Sequence, residues 1–264
     1  MLKCNFHAHY YESYGRNATA VVDAHRAAGY DCVALTEHFC FLPNLDVEEE
    51  GARYAQAKYG QDLLVIVGEE ASFELSREGG AYGKDVVCLF LDHVIRCELH
   101  PHAAPSTEVG PLIPFSRGLD LIHEQGGIAV VAHDAWGAWY DRRHDGKEHG
   151  LWVWDRRHGL PIDAWEVGNG WARFEKNAPA LDLMLSHPQE SVDEGYIVLA
   201  SSDVHAANQV QRLGACRTYV FVAERSAAGV KEALLSHRTV GYCDGQVYGR
   251  EEWVDRWRAA STRG

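Results

Sequence analysis

The 264-residue chain has no stretch approaching the roughly 18 consecutive apolar residues that a membrane span requires. Its first residues, Met1–Asn5, also lack a secretory leader layout, because the apolar stretch is short and His7 interrupts it. A cytoplasmic protein with no membrane partner is expected. Paired cysteines are missing too. The seven cysteines, Cys4, Cys32, Cys40, Cys88, Cys97, Cys216 and Cys243, are odd in number and form no C-x-x-C. Cys32 and Cys88 sit in apolar strand-like runs, so reduced buried thiols are expected, not a disulfide framework or a zinc ribbon. Nor is positive charge in excess. The net charge of −13 argues against broad electrostatic binding to nucleic acid or anionic membrane. A small anionic substrate stays compatible, since bound divalent cations would reverse the local field. No linker, low-complexity tract or repeat divides the chain, so residues 1–264 read as one domain.

What is present is an alternation of element types. Leu2–Phe6, Asp31–Leu35, Leu63–Val67, Val86–Leu91, Ile128–Ala132, Asp163–Val167, Tyr196–Ala200 and Arg217–Val222 read as strands. Ala18–Ala28, Val47–Tyr59, Arg117–Glu124, Ala178–His187, Ser226–Ser236 and Glu251–Ala259 read as helices. Gly79, Gly80 and Gly83 offer a hairpin before Val86. Trp253 and Trp257 stand at i and i+4, so one face of the last helix is packed. Such alternation predicts a parallel sheet, and at this length a barrel is its leading closed form. Leu99–Pro114, with four prolines, and Trp136–Pro161 read as long loops, the usual source of lids and binding elements.

Nearly every strand runs into a candidate metal ligand. The first leads into His7 and His9, the second into Glu37 and His38, the third into Glu69 and Glu70. Ile128–Ala132 leads into His133 and Asp134, and Asp163–Val167 carries Glu166 and precedes Asn169. Tyr196–Ala200 runs into Asp203 and His205. In a parallel barrel the C-terminal strand ends gather on one face, so residues distant in sequence converge. Residues i and i+2 of an extended chain point the same way, so His7 with His9, and Asp203 with His205, can bind one metal or two neighbouring ones. Imidazole and carboxylate suit zinc, manganese or iron, and the lack of a thiolate cluster disfavours a structural zinc site. Glu70 can bridge two ions, and a bridged pair can hold a hydroxide while clamping a phosphoryl or carbonyl group. Spacing alone leaves open whether Glu69 or Glu70 is the inward carboxylate. A single strand-end histidine is ordinarily a hydrogen-bonded structural residue, but repetition at strand after strand is not explained that way.

In this order the motifs resemble the PHP family, named for polymerase and histidinol phosphatase domains. They are NFHAHY (Asn5–Tyr10), ALTEH (Ala34–His38), GEEAS (Gly68–Ser72), VVAHD (Val130–Asp134), WEVGN (Trp165–Asn169) and SSDVH (Ser201–His205). The resemblance implies a distorted (β/α)7 TIM-like barrel, two or three divalent metal ions and phosphoester hydrolysis. It implies His7, His9, Glu70 and Asp203 as ligands of one ion. Glu70, bridging, and His133 would serve a second, and His38 and His205 a third. Asp203 and His205 are the implied catalytic residues, with Asp203 handling a proton near the bound water. Three positions depart from the family pattern. Tyr14 stands where an aspartate often ligates the third ion, with Glu12 as a nearby substitute. Asp85 stands where a histidine often serves the second, and Asp134 replaces a proline after His133.

The leading expectation is therefore a metal-dependent phosphoesterase acting on a small phosphorylated substrate. The same chemistry serves a C–N or carboxyl-ester bond, and Tyr14 and Asp85 keep open a module that binds metal without turnover. Arg16, Lys84, Arg142, Arg143 and Arg173 are candidate phosphate contacts. The tryptophans between Trp136 and Trp171 are candidates for stacking or for the core.

Overall fold

The computed structural model describes residues 1–10, 17–38, 45–60, 62–77, 80–95, 113–134, 153, 157–170, 188–210 and 214–262. Within them lie strands β1 (Leu2–Asn5), β2 (Cys32–Leu35), β3 (Leu64–Arg77), β4 (Gly80–Leu89) and β5 (Ile128–Val131). The remaining strands are β6 (Ala164–Asn169), β7 (Ile197–Ser201), β8 (Cys216–Val220), β9 (Thr239–Cys243) and β10 (Gln246–Tyr248). They form one sheet in the order β10-β9-β8-β1-β2-β3-β4-β5-β6-β7. The helices are α1 (Ala18–Ala27), α2 (Leu45–Tyr59), α3 (Phe115–Glu124), α4 (Pro188–Asp193), α5 (Ala227–Leu235) and α6 (Glu251–Ser261). The expected helix Ala178–His187 lies outside the described residues. Among those residues no helix is long and apolar enough to cross a membrane.

Side-chain alternation explains the layering. Residues from β1 to β8, among them Phe6, Ala34, Ile66, Leu89, Val130 and Leu199, make one buried cluster. This is the inside of a nearly closed barrel, and α5 adds Val230, Ala233 and Leu234 to it. Outside, Phe115, Leu119 and Ile122 of α3 stand at i, i+4 and i+7 and pack with Phe73 and Val131. Val21 and Val22 of α1 pack with Val33 and Val65. Asn17 caps α1 by accepting from the Ala20 amide at 3.1 Å, and Gly29, at φ 72°, ends it. The expected packed face of the last helix is present: Trp253 meets Phe221 and Trp257 meets Tyr219.

Three expectations need correction. First, the sheet is mixed. β1, β2 and β3 are parallel, as are β5, β6 and β7, but β4 is antiparallel to both β3 and β5, and β8 to β1. Second, β3 does not stop at Val67. It continues through Glu70 and pairs with β4 from Gly68↔Leu89 to Arg77↔Gly80. Glu69, Glu70, Ser72 and Glu74 interrupt the apolar run, but the ladder with β4 runs through all four, and the Glu70 and Glu74 amides bond the Glu37 and Ile113 carbonyls, so pairing overrides composition. Third, Cys216 and Cys243 face each other across β8 and β9 and form a disulfide. Cys4, Cys32 and Cys88 are buried thiols outside any disulfide among the described residues, as expected, and Cys40 and Cys97 lie outside the described residues.

Gly68 marks the crossing of β3 into the hairpin. A Cβ there would lie 2.4 Å from the Cys88 carbonyl oxygen and 3.3 Å from Thr36 Cγ2. Backbone cannot yield as a flexible side chain can. Gly68→Ala is therefore expected to destabilise the protein by about 1–3 kcal/mol. Urea denaturation measures this, and an unchanged midpoint would contradict the close approach.

Candidate metal centre

His7 and His9 leave β1 two residues apart and turn the same way, bringing their Nε2 atoms to 3.1 Å. Each ring is held from behind by a carboxylate. His7 Nδ1 donates to Glu166 Oε1 at 3.0 Å and His9 Nδ1 to Glu37 Oε1 at 3.2 Å. Other donors hold the carboxylates in turn. Glu166 Oε2 accepts from the His133 amide at 3.0 Å and from Asn169 Nδ2 at 2.9 Å. Glu37 Oε2 accepts from the Tyr10 amide at 2.8 Å. With the ring protons on Nδ1, both Nε2 atoms present lone pairs to the same point.

Two carboxylates complete that point. Glu70 Oε2 lies 2.9 Å from His7 Nε2 and 3.1 Å from His9 Nε2. Asp203 Oδ1 lies 3.3 Å from each. Four ligands at zinc-like bond lengths around one ion would stand ~3.3 Å apart, so this cage has the right size. Asp203 Oδ1 is buried with no hydrogen-bond partner among the described residues, while Oδ2 accepts from Asn169 Nδ2 at 3.1 Å. Converging acceptors in a buried place are costly unless a cation or protons balance them. The donor set fits a divalent ion.

Two further groups overlap this one. Glu70, Asp85 and His133 offer atoms within 4.8 Å of one another, as do His9, His38 and His205. Glu70 Oε1 meets His133 Nε2 at 2.8 Å, so its two oxygens face both neighbouring groups. Ser72 Oγ hydrogen-bonds Asp85. His38 and His205 stack on His9 at 4.6 Å and 4.4 Å. His9 directs Nε2 to the central cage and Nδ1 to Glu37, while His38 Nε2 lies 3.2 Å from Glu70 Oε2 and His205 Nδ1 meets the Asp203 carbonyl at 3.0 Å. Tyr14 and Glu12 lie outside the described residues. Backbone strain accompanies the site: His133 has φ 28° and Asp203 φ 52°, sparsely populated for non-glycine residues.

The expected ligands thus meet, and Glu70 rather than Glu69 faces them. Glu69 Oε2 instead accepts from the Ile95 amide at 2.6 Å. Lys84 is buried, donating to the carbonyls of His133 and Asp134 at 3.3 Å and 2.8 Å, so it braces the loop after β5. Arg16, Arg142, Arg143, Arg173, Trp136 and Trp171 lie outside the described residues. Glu37 and Glu166, candidate ligands by their strand-end positions, instead stand behind His9 and His7 as hydrogen-bond partners. Their signal was available in principle, because ligating histidines nearly always give their second N–H to a carboxylate or carbonyl.

Electrostatics agree with the geometry. Burial pushes the His7 and His9 imidazoles down. The carboxylates of Asp203, Glu70 and Glu166 around His7, and of Asp203, Glu37 and Glu70 around His9, outweigh it and hold both well above the usual histidine range. Burial likewise favours neutral carboxyls, yet the histidines hold Glu70 and Asp203 well below the carboxylate range and bring Glu37 to about 2.

No family model and no curated protein matches this chain. Solved structures do. One is a two-domain protein from Bacteroides vulgatus containing a predicted PHP-like metal-dependent phosphoesterase. It is 19% identical with a TM-score of 0.62, over 98% of this chain and 69% of that one. A candidate metal-dependent phosphoesterase from Bifidobacterium adolescentis is 13% identical with a TM-score of 0.51, over 77% and 88%. An amidohydrolase from Chromobacterium violaceum, with bound sulfate and no metal, is 17% identical with a TM-score of 0.50, over 77% and 87%. At the level of fold, this chain is a PHP-like barrel.

Two outcomes follow from the centre. Stability contributed by His7 and His9 without a cation is fully present below their unfolded pKa of about 6.5 and is lost as pH rises through the raised folded value. The metal-free protein is expected to lose thermal stability on that alkaline side, and a divalent ion to restore it. Melting curves across pH with and without zinc or manganese measure this, and a Tm indifferent to both would contradict it. Glu166→Gln should weaken metal binding by about 10–100-fold, read by chelator competition. Unchanged affinity would remove Glu166 from the centre.

Proposed function

We propose that this chain is a metal-dependent phosphoester hydrolase acting on a small phosphorylated substrate. The observation that carries the reading is the set of overlapping donor groups around Glu70. His7, His9, Glu70 and Asp203 would hold one divalent ion, Glu70, Asp85 and His133 a second, and His38 and His205 a third. Zinc, manganese and iron all suit such donors. Ions bound there lower the pKa of water and offset negative charge on a phosphoryl group.

The chain's own groups supply the rest. Glu166 and Glu37 keep His7 and His9 in the Nδ1–H tautomer with Nε2 forward. Asn169 holds Asp203 Oδ2, which turns Oδ1 to the centre, where Asp203 would serve as a ligand and handle a proton beside it. His205 donates Nδ1–H to the Asp203 carbonyl at 3.0 Å, which leaves Nε2 as its working atom. The surrounding burial limits water and strengthens each of these interactions. Likeness to an amidohydrolase favours a second reading, hydrolysis of a C–N or carboxyl-ester bond at the same centre.

The test is a panel containing an aryl phosphate, a short oligonucleotide, an aryl carboxyl ester and an anilide. Oligonucleotide belongs in it because divalent ions at the centre would reverse the local field there, whatever the chain's net charge of −13. Metal-loaded protein is expected to cleave the phosphate, and His7→Ala and Asp203→Ala to lower the rate by more than about 100-fold, beyond the cost of losing an outer partner. Turnover of ester or anilide alone would favour the second reading. Metal binding without turnover would make the chain a non-catalytic module, and equal rates in the variants would refute the site.

A further inference from the structure

The ligands that must meet come from strands no ladder joins. β1 pairs with β2 and β8, and β7 is the last strand of the sheet beside β6. Beyond their ends the seam holds an isolated bridge, Ala8↔Val204, and the backbone bonds His9 N to Val204 O at 2.7 Å and Asp203 N to His7 O at 3.0 Å. One buried side chain spans the seam just below the cage. Asn5 Oδ1 accepts from the Ser202 amide at 2.9 Å and, more weakly, from the His7 amide at 3.4 Å. Asn5 Nδ2 donates to Ser202 Oγ at 2.6 Å and to His25 Nε2 at 2.9 Å. His25, on the packed face of α1, donates Nδ1–H to the Val21 carbonyl at 2.8 Å, so its Nε2 must accept.

We propose that Asn5, braced by His25, is a positioning device that sets the spacing of His7 and Asp203 across the barrel seam. It rests on the metal-centre reading above. The geometry is over-determined in the way such a role needs. Asn5 uses both amide hydrogens and its oxygen, and all three residues are fully or almost fully buried. Asn5 stands two residues before His7 and Ser202 one before Asp203, whose positive φ needs a fixed neighbour. Burial, with the Lys3 charge adding to it, pushes His25 down to about 4, so the accepting lone pair persists at neutral pH.

The test compares His25→Leu, which removes the acceptor, with His25→Gln, which carries an oxygen at the reach of Nε2. Thr218→Val is the structural control. Thr218 Oγ1 joins β8 to β7 through Ala200 N and O at 2.9 Å and 2.8 Å. Zinc affinity is read by chelator competition and ligand geometry by the visible spectrum of the cobalt-substituted protein. His25→Leu should bind zinc about 10-fold or more weakly with an altered cobalt spectrum. His25→Gln should restore both, and Thr218→Val should lower Tm while changing neither. If His25→Leu does not fold, Ser202→Ala removes the other acceptor of the same amide and carries the same expectation. Wild-type affinity and spectrum in the clamp variant, or equal losses in Thr218→Val, would overturn the proposal alone. Failure of the wild-type protein to bind metal would overturn the metal-centre reading and this one with it.

Discussion

Two imidazole nitrogens and two carboxylate oxygens, all acceptors, converge in a buried place, each oxygen within 3.3 Å of both nitrogens and the nitrogens 3.1 Å apart. The surrounding structure depends on balancing that contact. Water cannot relieve it, and self-repulsion would spread the groups unless protons or a cation sit among them. The polar side chains beyond the cage serve one end, which is to keep it from relaxing. Glu166 and Glu37 prevent ring rotation, Asn169 prevents rotation of Asp203, and the β3–β4 ladder holds Glu70 near its Gly68 end.

The fold meets this demand by giving the ligands to different strands. Each is short and its backbone is satisfied by neighbours, so a ligand at its end has little freedom. Glu70 is the exception, since it lies within a long hairpin strand. Its alternation with Glu69 sends one carboxylate into the cage and the other to the Ile95 amide. One residue of register slip would exchange them. The hairpin also carries Asp85, directly opposite Ser72, to the same side as Glu70, so a carboxylate stands beside His133.

Much of this was legible in the sequence, for a physical reason. Strand ends in a barrel share a face, so His7, His9, His38, His133, Asp203 and His205 announce themselves by following apolar runs. Glu70 was legible only through its motif, because polar residues hide the continuation of β3 past Val67. β9 and β10 were not legible. Gly241 weakens the strand pattern of Thr239–Cys243, and β10 is only Gln246–Tyr248, so both owe their form to partners already in place. The Cys216–Cys243 disulfide depends on that same pairing, which an odd cysteine count cannot reveal. Residues that orient the ligands were the least legible. Glu37, Asn5 and His25 act through contacts across |i−j| of 20 to 197, and nothing local distinguishes them from ordinary buried polar groups.

The central claim is that a cation occupies the point between His7 Nε2, His9 Nε2, Glu70 and Asp203. Anomalous diffraction from metal-loaded crystals tests it most directly. The expected result is a peak about 2.0–2.2 Å from all four atoms, with both imidazoles still bonded through Nδ1 to Glu166 and Glu37. A peak elsewhere, or no peak with His7 and His9 turned away from each other, would contradict the account.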